Sequence, residues 1–221
     1  MKLVTFQSMD ALKDLINKGY LECNNNIDLK NKKIYDYIVD KMNEKIENKY
    51  NTKYPLWCWV KCYNNICPSK HKGNKVEGFD VKITFNKNIE DVSITDFRRY
   101  SFLLNNQFIP NSLKELKEYK EELEKNNITN QQLLNYIRNK ENVRSDKEFI
   151  SMCKKIEKSF DRCITVDSDI LQGCIWRINI NEIESIEILK DDGYVYGSIN
   201  YIRSNGKRMD WINDYIKKLG D

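Results

Sequence analysis

Glycine, proline and histidine are scarce: the 221 residues include 8, 3 and 1 of them, the single histidine being His71. Neither G-x-G-x-x-G nor G-x-x-x-x-G-K-[ST] occurs, which excludes the glycine-rich cradles by which Rossmann and P-loop proteins hold phosphates. One histidine for seven cysteines leaves few possible Cys–His nucleophile pairs, and no G-x-S-x-G elbow or H-E-x-x-H helix is present. No apolar run approaches the roughly 18 residues that a membrane span needs. The opening Met1-Lys2-Leu3-Val4-Thr5-Phe6 lacks the apolar core and cleavage site of an export signal, so the expectation is a cytoplasmic protein with no membrane partner. Seven cysteines at irregular spacing fit reduced thiols in that compartment. There is no internal repeat and no Pro/Gly/Ser linker, which predicts one domain over 1–221.

Charge is abundant but balanced. Lys and Arg number 37 and Asp and Glu 33, a formal net charge of +4. The basic residues are scattered among acidic ones, in a chain biased throughout toward Lys, Asn, Ile and Tyr. A nucleic-acid partner is therefore only weakly indicated.

The periodicities predict strands and helices in separate groups. Leu3 to Gln7 alternates as a strand, with Leu3, Thr5 and Gln7 on one face and Val4 and Phe6 on the other. Ser8 caps a helix with the stripe Met9, Leu12, Leu15 and Ile16, and Gly19 ends it. Ile34 to Asn48 reads as a second helix. Tyr54 to Tyr63 reads as a central strand with Leu56, Cys58, Val60 and Cys62 on one face and Trp57, Trp59 and Tyr63 on the other, and Phe79 to Phe85 as a further strand. Helix starts are expected at Thr95, and at the capping boxes Ser112/Glu115, Thr129/Gln132 and Ser145/Glu148, the last opening a helix over 146–163. The stretch 112–140 is read as a charged helical insertion. Leu171 to Ile180 returns to strand. Ser185 to Leu189 pairs with Tyr194 to Ile202 through Asp191-Asp192-Gly193, and a last helix covers 208–219. Helices clustered between strand groups give the α+β class, with a small mixed or antiparallel sheet system.

Three groups of side chains are candidates for chemistry. Cys58, Cys62, Cys67 and His71 have the donor types of a tetrahedral zinc set, which would make this a zinc-stabilised domain. Cys58 and Cys62, however, lie four residues apart on a presumed strand, roughly 13 Å along it, too far for one ion, so no metal site is assigned. The second group is aromatic. Trp57 and Trp59 on one strand face, and Trp176 on a later strand, suit either a core or a flat wall for a base or nicotinamide ring. The third is polar: Thr5, Gln7 and Gln172 sit within otherwise apolar strands and must either bond to backbone or line a cleft.

These same segments carry a resemblance. Leu3-Val4-Thr5-Phe6-Gln7-Ser8, Tyr54-Pro55-Leu56-Trp57-Cys58-Trp59, Ser93-Ile94-Thr95-Asp96-Phe97, Leu103-Leu104-Asn105, Glu157-Lys158-Ser159-Phe160 and Leu171-Gln172-Gly173-Cys174-Ile175-Trp176 resemble the bacterial family called domain of unknown function 3841. Two positions depart from it: Tyr100-Ser101 stand where a Trp-His pair is expected, and Arg177 where Glu is expected. The chain is also loosely similar to the ADP-ribosyltransferase-like fold, which holds NAD in a cleft between two small sheets. That likeness implies NAD as cofactor, Thr5, Gln7, Trp57, Trp59, Gln172 and Trp176 as cofactor-binding residues, and Glu182 or Glu184 as the carboxylate that steadies the ribose. The departure at Arg177 leaves open an inactive relative. The residues themselves also leave open a non-catalytic module that binds RNA, a nucleotide or a protein.

Overall fold

The computed structural model describes residues 1–23, 32–67, 80–139, 144–189 and 195–200, the last of these as backbone only. The chain divides into two compact units, Met1–Ile94 with Asp169–Asp221, and Thr95–Ser168. Strands dominate the first and helices the second, as the α+β class requires.

The first unit is built on a seven-stranded sheet in the order β5-β6-β3-β1-β4-β8-β9, where β1 is Lys2–Gln7, β3 Leu56–Cys62, β4 Val81–Asn86, β5 Ser93–Asp96, β6 Ile170–Ile175, β8 Ile183–Leu189 and β9 Val195–Asn200. All pairings assigned from β6 through β9 are antiparallel. The first strand of the sequence is thus near the centre, between β3 and β4, which is why Leu3 and Val4 are buried although one lies on each face. Helix α1 (Met9–Lys18) follows directly. Ser8 Oγ accepts from the Ala11 N–H, and Gly19, at φ 76°, closes the helix in the left-handed conformation. Its buried residues Ala11, Leu12 and Leu15 cover Leu3, Leu56, Cys58, Val81, Ile83 and Phe85 on one face of the sheet.

Gly19 turns the chain into β2 (Tyr20–Leu21), which pairs with β7 (Ile178–Asn179) in a separate two-stranded ladder. This ladder breaks the long strand expected over 171–180. The main sheet releases the chain at Ile175, and Trp176 and Arg177 lead to β7. Helix α2 (Lys32–Asn43) buries Ile34, Ile38 and Met42 and stops short of the expected Asn48. Gly173 in β6 faces Cys58, and a Cβ there would stand 2.7 Å from Val92 Cγ1 and 3.0 Å from Cys58 Sγ, so the absent side chain permits this close packing.

The second unit holds α3 (Phe97–Leu104), α4 (Leu113–Lys125), α5 (Asn130–Asn139) and α6 (Lys147–Ser159). Leu103, Ile109, Leu133, Phe149 and Met152 are the largest of its fully buried side chains, and the Phe108 and Tyr119 rings stack with centroids 4.4 Å apart. Two caps differ from expectation. Asp96, not Thr95, caps α3, accepting from the Arg98 and Arg99 N–H groups, while Thr95 is fully buried in β5. Asp146, not Ser145, caps α6, because its carboxylate reaches the Phe149 N–H and is held there by Arg144. The Thr129/Gln132 box forms reciprocally. The stretch 112–140 supplies α4 and α5. The turn at Asp191-Asp192-Gly193, the 208–219 helix and His71 lie outside the described residues.

Candidate functional site

Backbone pairing between β1 and β3 is assigned at Val4–Trp59, whereas β1 and β4 pair at six positions from Lys2–Asn86 to Gln7–Val81. Beyond Val4, β1 and β3 part. A side chain takes over where the ladder stops: Thr5 Oγ1, in a residue 2% exposed, donates to the Trp57 carbonyl at 2.8 Å. The same hydroxyl accepts from Gln7 Nε2 at 2.7 Å. This relay satisfies a strand carbonyl that has left its ladder and fixes the Gln7 amide, so Gln7 Oε1 is not needed by any described neighbour.

The parting strands open a hollow of about 400 Å³. It is lined by Thr5, Gln7, Trp57, Trp59 and Gln172, which brings together five of the six residues expected to hold a cofactor. Strand register defines how they are presented. Trp59 is the partner of both Val4 and Gln172, and Trp57 that of Cys174, so both indoles and Gln172 project from one face of the sheet. Thr5 and Gln7 alternate with Val4 and project from the other, toward α1. The two amides therefore reach the hollow from opposite faces, through the gap between the strands. A bulge between Trp59 and Lys61 then shifts the alternation, so Cys62 does not share the face of Leu56 and Cys58 as the sequence pattern predicts.

Trp176 is elsewhere. It is buried, donates from Nε1 to the Ile46 carbonyl at 3.3 Å, and lines a second hollow of about 310 Å³ with Lys87, Arg177 and Glu182. Glu182 is taken up in structure there. Its carboxylate accepts from Lys87 Nζ at 2.7 and 2.9 Å and from the Asn179 N–H at 2.8 Å. Glu184 is exposed on the sheet and pairs with Lys2, whose ammonium holds that carboxyl below the usual range. Neither carboxylate lines the β1–β3 hollow.

The carboxylate that does line it is Glu22, which the sequence pattern does not reveal. Extending the β2–β7 register by one residue beyond Leu21–Ile178 sets Glu22 opposite Arg177. Arg177 donates from Nε at 2.7 Å and from Nη2 to the single oxygen Glu22 Oε1. Its guanidinium is clamped between the Tyr20 and Tyr50 rings, 3.9 Å from each centroid. Arg177 thus holds a carboxylate at the hollow.

Cys58, Cys153, Cys163 and Cys174 are buried, while Cys23, Cys62 and Cys67 are partly exposed. Cys58 donates to the Gly173 carbonyl at 3.3 Å, and burial pushes its pKa up to about 12. Cys23, at the rim of the hollow, is raised by the same cause. Among the described residues no three His, Cys, Asp or Glu side chains form a metal-binding group, and no helix is long and apolar enough to cross a membrane.

Residues 2–184 match the family described as Domain of unknown function (DUF3841). The chain belongs to that family. The match includes β1, β3 and β6, and hence the whole lining of the hollow. No curated protein and no solved structure matched the chain.

Proposed function

We propose that the hollow between β1 and β3 binds a planar, amide-bearing heteroaromatic ring, and that its occupant is the nicotinamide end of NAD. The observation that supports this best is the joint lining by Trp57, Trp59, Gln7 and Gln172. Indole faces give a flat apolar wall, and carboxamide side chains offer both a donor and an acceptor to a ligand carboxamide. Gln172 makes no side-chain hydrogen bond among the described residues, and Gln7 spends only its Nε2. A volume of about 400 Å³ is at the small end for ligand pockets, suiting a ring with its sugar better than a whole dinucleotide. The lining has no Lys, Arg or His, so the phosphates would sit outside.

Binding, rather than transfer, is what these side chains support. An ADP-ribosyltransferase-like reaction needs a carboxylate beside the ribose; Glu182 and Glu184 are engaged by lysines away from the hollow, and Glu22, the carboxylate that lines it, is ion-paired with Arg177. An NAD-binding relative without transfer activity fits this arrangement. A nucleic-acid site would call for basic side chains that the lining lacks.

Thermal unfolding with NAD tests the reading. A ligand at a hundred times its dissociation constant adds about 2.7 kcal/mol, a rise of several degrees. Gln172→Ala is expected to abolish the rise while moving the unliganded Tm by no more than about 2 °C, since it removes no described hydrogen bond. An unchanged Tm at millimolar NAD contradicts the proposal.

A further inference from the structure

We infer that Glu22 makes the hollow selective for a positively charged ring, so that it distinguishes a pyridinium from its uncharged counterpart. The inference rests on the binding site proposed above and adds the charge of the ligand. Glu22 is the one carboxylic acid among the lining residues, which include no basic side chain. Its partner Arg177 is absent from that lining and is instead part of the wall of the second hollow. The ion pair is thus presented edge-on: the carboxylate belongs to the indole-walled hollow, and the guanidinium lies in the Tyr20–Tyr50 sandwich.

Arg177 delivers both of its bonds to Oε1. No described residue donates to Oε2, which leaves that oxygen for a ligand. The Glu22 and Arg177 side chains are 26% and 20% exposed, so a charge beside them is only partly screened. Two features of the hollow therefore favour the same ligand. Indole faces attract a cation through the ring quadrupole, and a fixed carboxylate attracts it by charge. A neutral ring gains only stacking and amide contacts.

The test compares two probes that differ by one N-methyl group and one charge, 1-methylnicotinamide cation and neutral nicotinamide. Titrations at neutral pH use wild type, Glu22→Gln, and Glu22→Gln combined with Arg177→Met. The double variant keeps the test valid if an unpaired Arg177 unfolds the single one. Wild type is expected to bind the cation about tenfold more tightly, the scale of one well-placed cation–π or charge contact. Both variants are expected to reduce that ratio to within about twofold while changing nicotinamide affinity little. Equal affinities in wild type, or a preference that survives in a folded variant, overturn the inference and leave the ring site standing. Failure of wild type to bind either probe overturns both.

Discussion

At the scale of single residues, the most informative side chain is Thr5. A β-branched residue on a central strand is expected to pack, and Thr5 is as buried as the core around it. Its hydroxyl nevertheless does what the backbone does in the rest of the sheet, closing the last bond between β1 and β3 and anchoring Gln7. Thr5→Val keeps the shape and removes both bonds. The Trp57 carbonyl then loses its donor, at a cost of about 1–3 kcal/mol. We expect a lowered Tm together with loss of the NAD-dependent rise, since Gln7 is released. A Thr5→Val protein that unfolds like wild type and still responds to NAD would show that the relay positions nothing. Parts of this could be read from sequence: a polar residue in an apolar strand must be satisfied, and Thr5, Gln7 and Gln172 follow from that rule alone. Glu22 could not be found that way. Its partner is 155 residues distant, and nothing in the local pattern around Tyr20-Leu21 marks the pairing.

At the scale of elements, α1 shows what local rules resolve. Ser8, the apolar stripe and Gly19 specify its start, buried face and end, and the structure agrees with each. The caps at Asp96 and Asp146 show where such rules are degenerate. Thr-Asp and Ser-Asp pairs offer two competent caps in a row, and the choice depends on which side chain the preceding backbone turns toward the free N–H groups. Short ladders are harder still. β2 and β7 have two residues each, too few for a period, so the break in the strand at Trp176 is set by a partner distant in sequence.

Helix α4 offers a pH test at this scale. Glu115 accepts from the Asn111 N–H and pairs with Arg162, and these two contacts, the first the larger, hold its carboxyl below the ordinary range. A depressed folded pKa stabilises the fold above the unfolded value, about 4.3 for glutamate, and that contribution is lost as pH falls through the folded value. Glu115→Gln is therefore expected to lower Tm at neutral pH and to flatten the acid limb of the Tm–pH curve. Parallel acid limbs for variant and wild type would show that the contacts favour the ionised carboxyl no more in the fold than outside it.

At the scale of the whole molecule, the α+β class and the family follow from segments spread along nearly the whole chain. The location of the hollow does not. It arises because β1 and β3 pair and then part, a feature of strand register rather than of composition. The sequence predicts which aromatic and amide residues are unusual. Only the fold separates Trp176, which closes a different cavity, from Trp57 and Trp59. That separation makes the central claim directly measurable. In a ¹⁵N-labelled protein, the indole N–H resonances report each tryptophan individually during titration with NAD. Saturable shifts are expected for Trp57 and Trp59 with Trp176 unmoved, and their loss in Gln172→Ala. Shifts at Trp176 with none at Trp57 or Trp59, or no saturable shift at any indole, would contradict it.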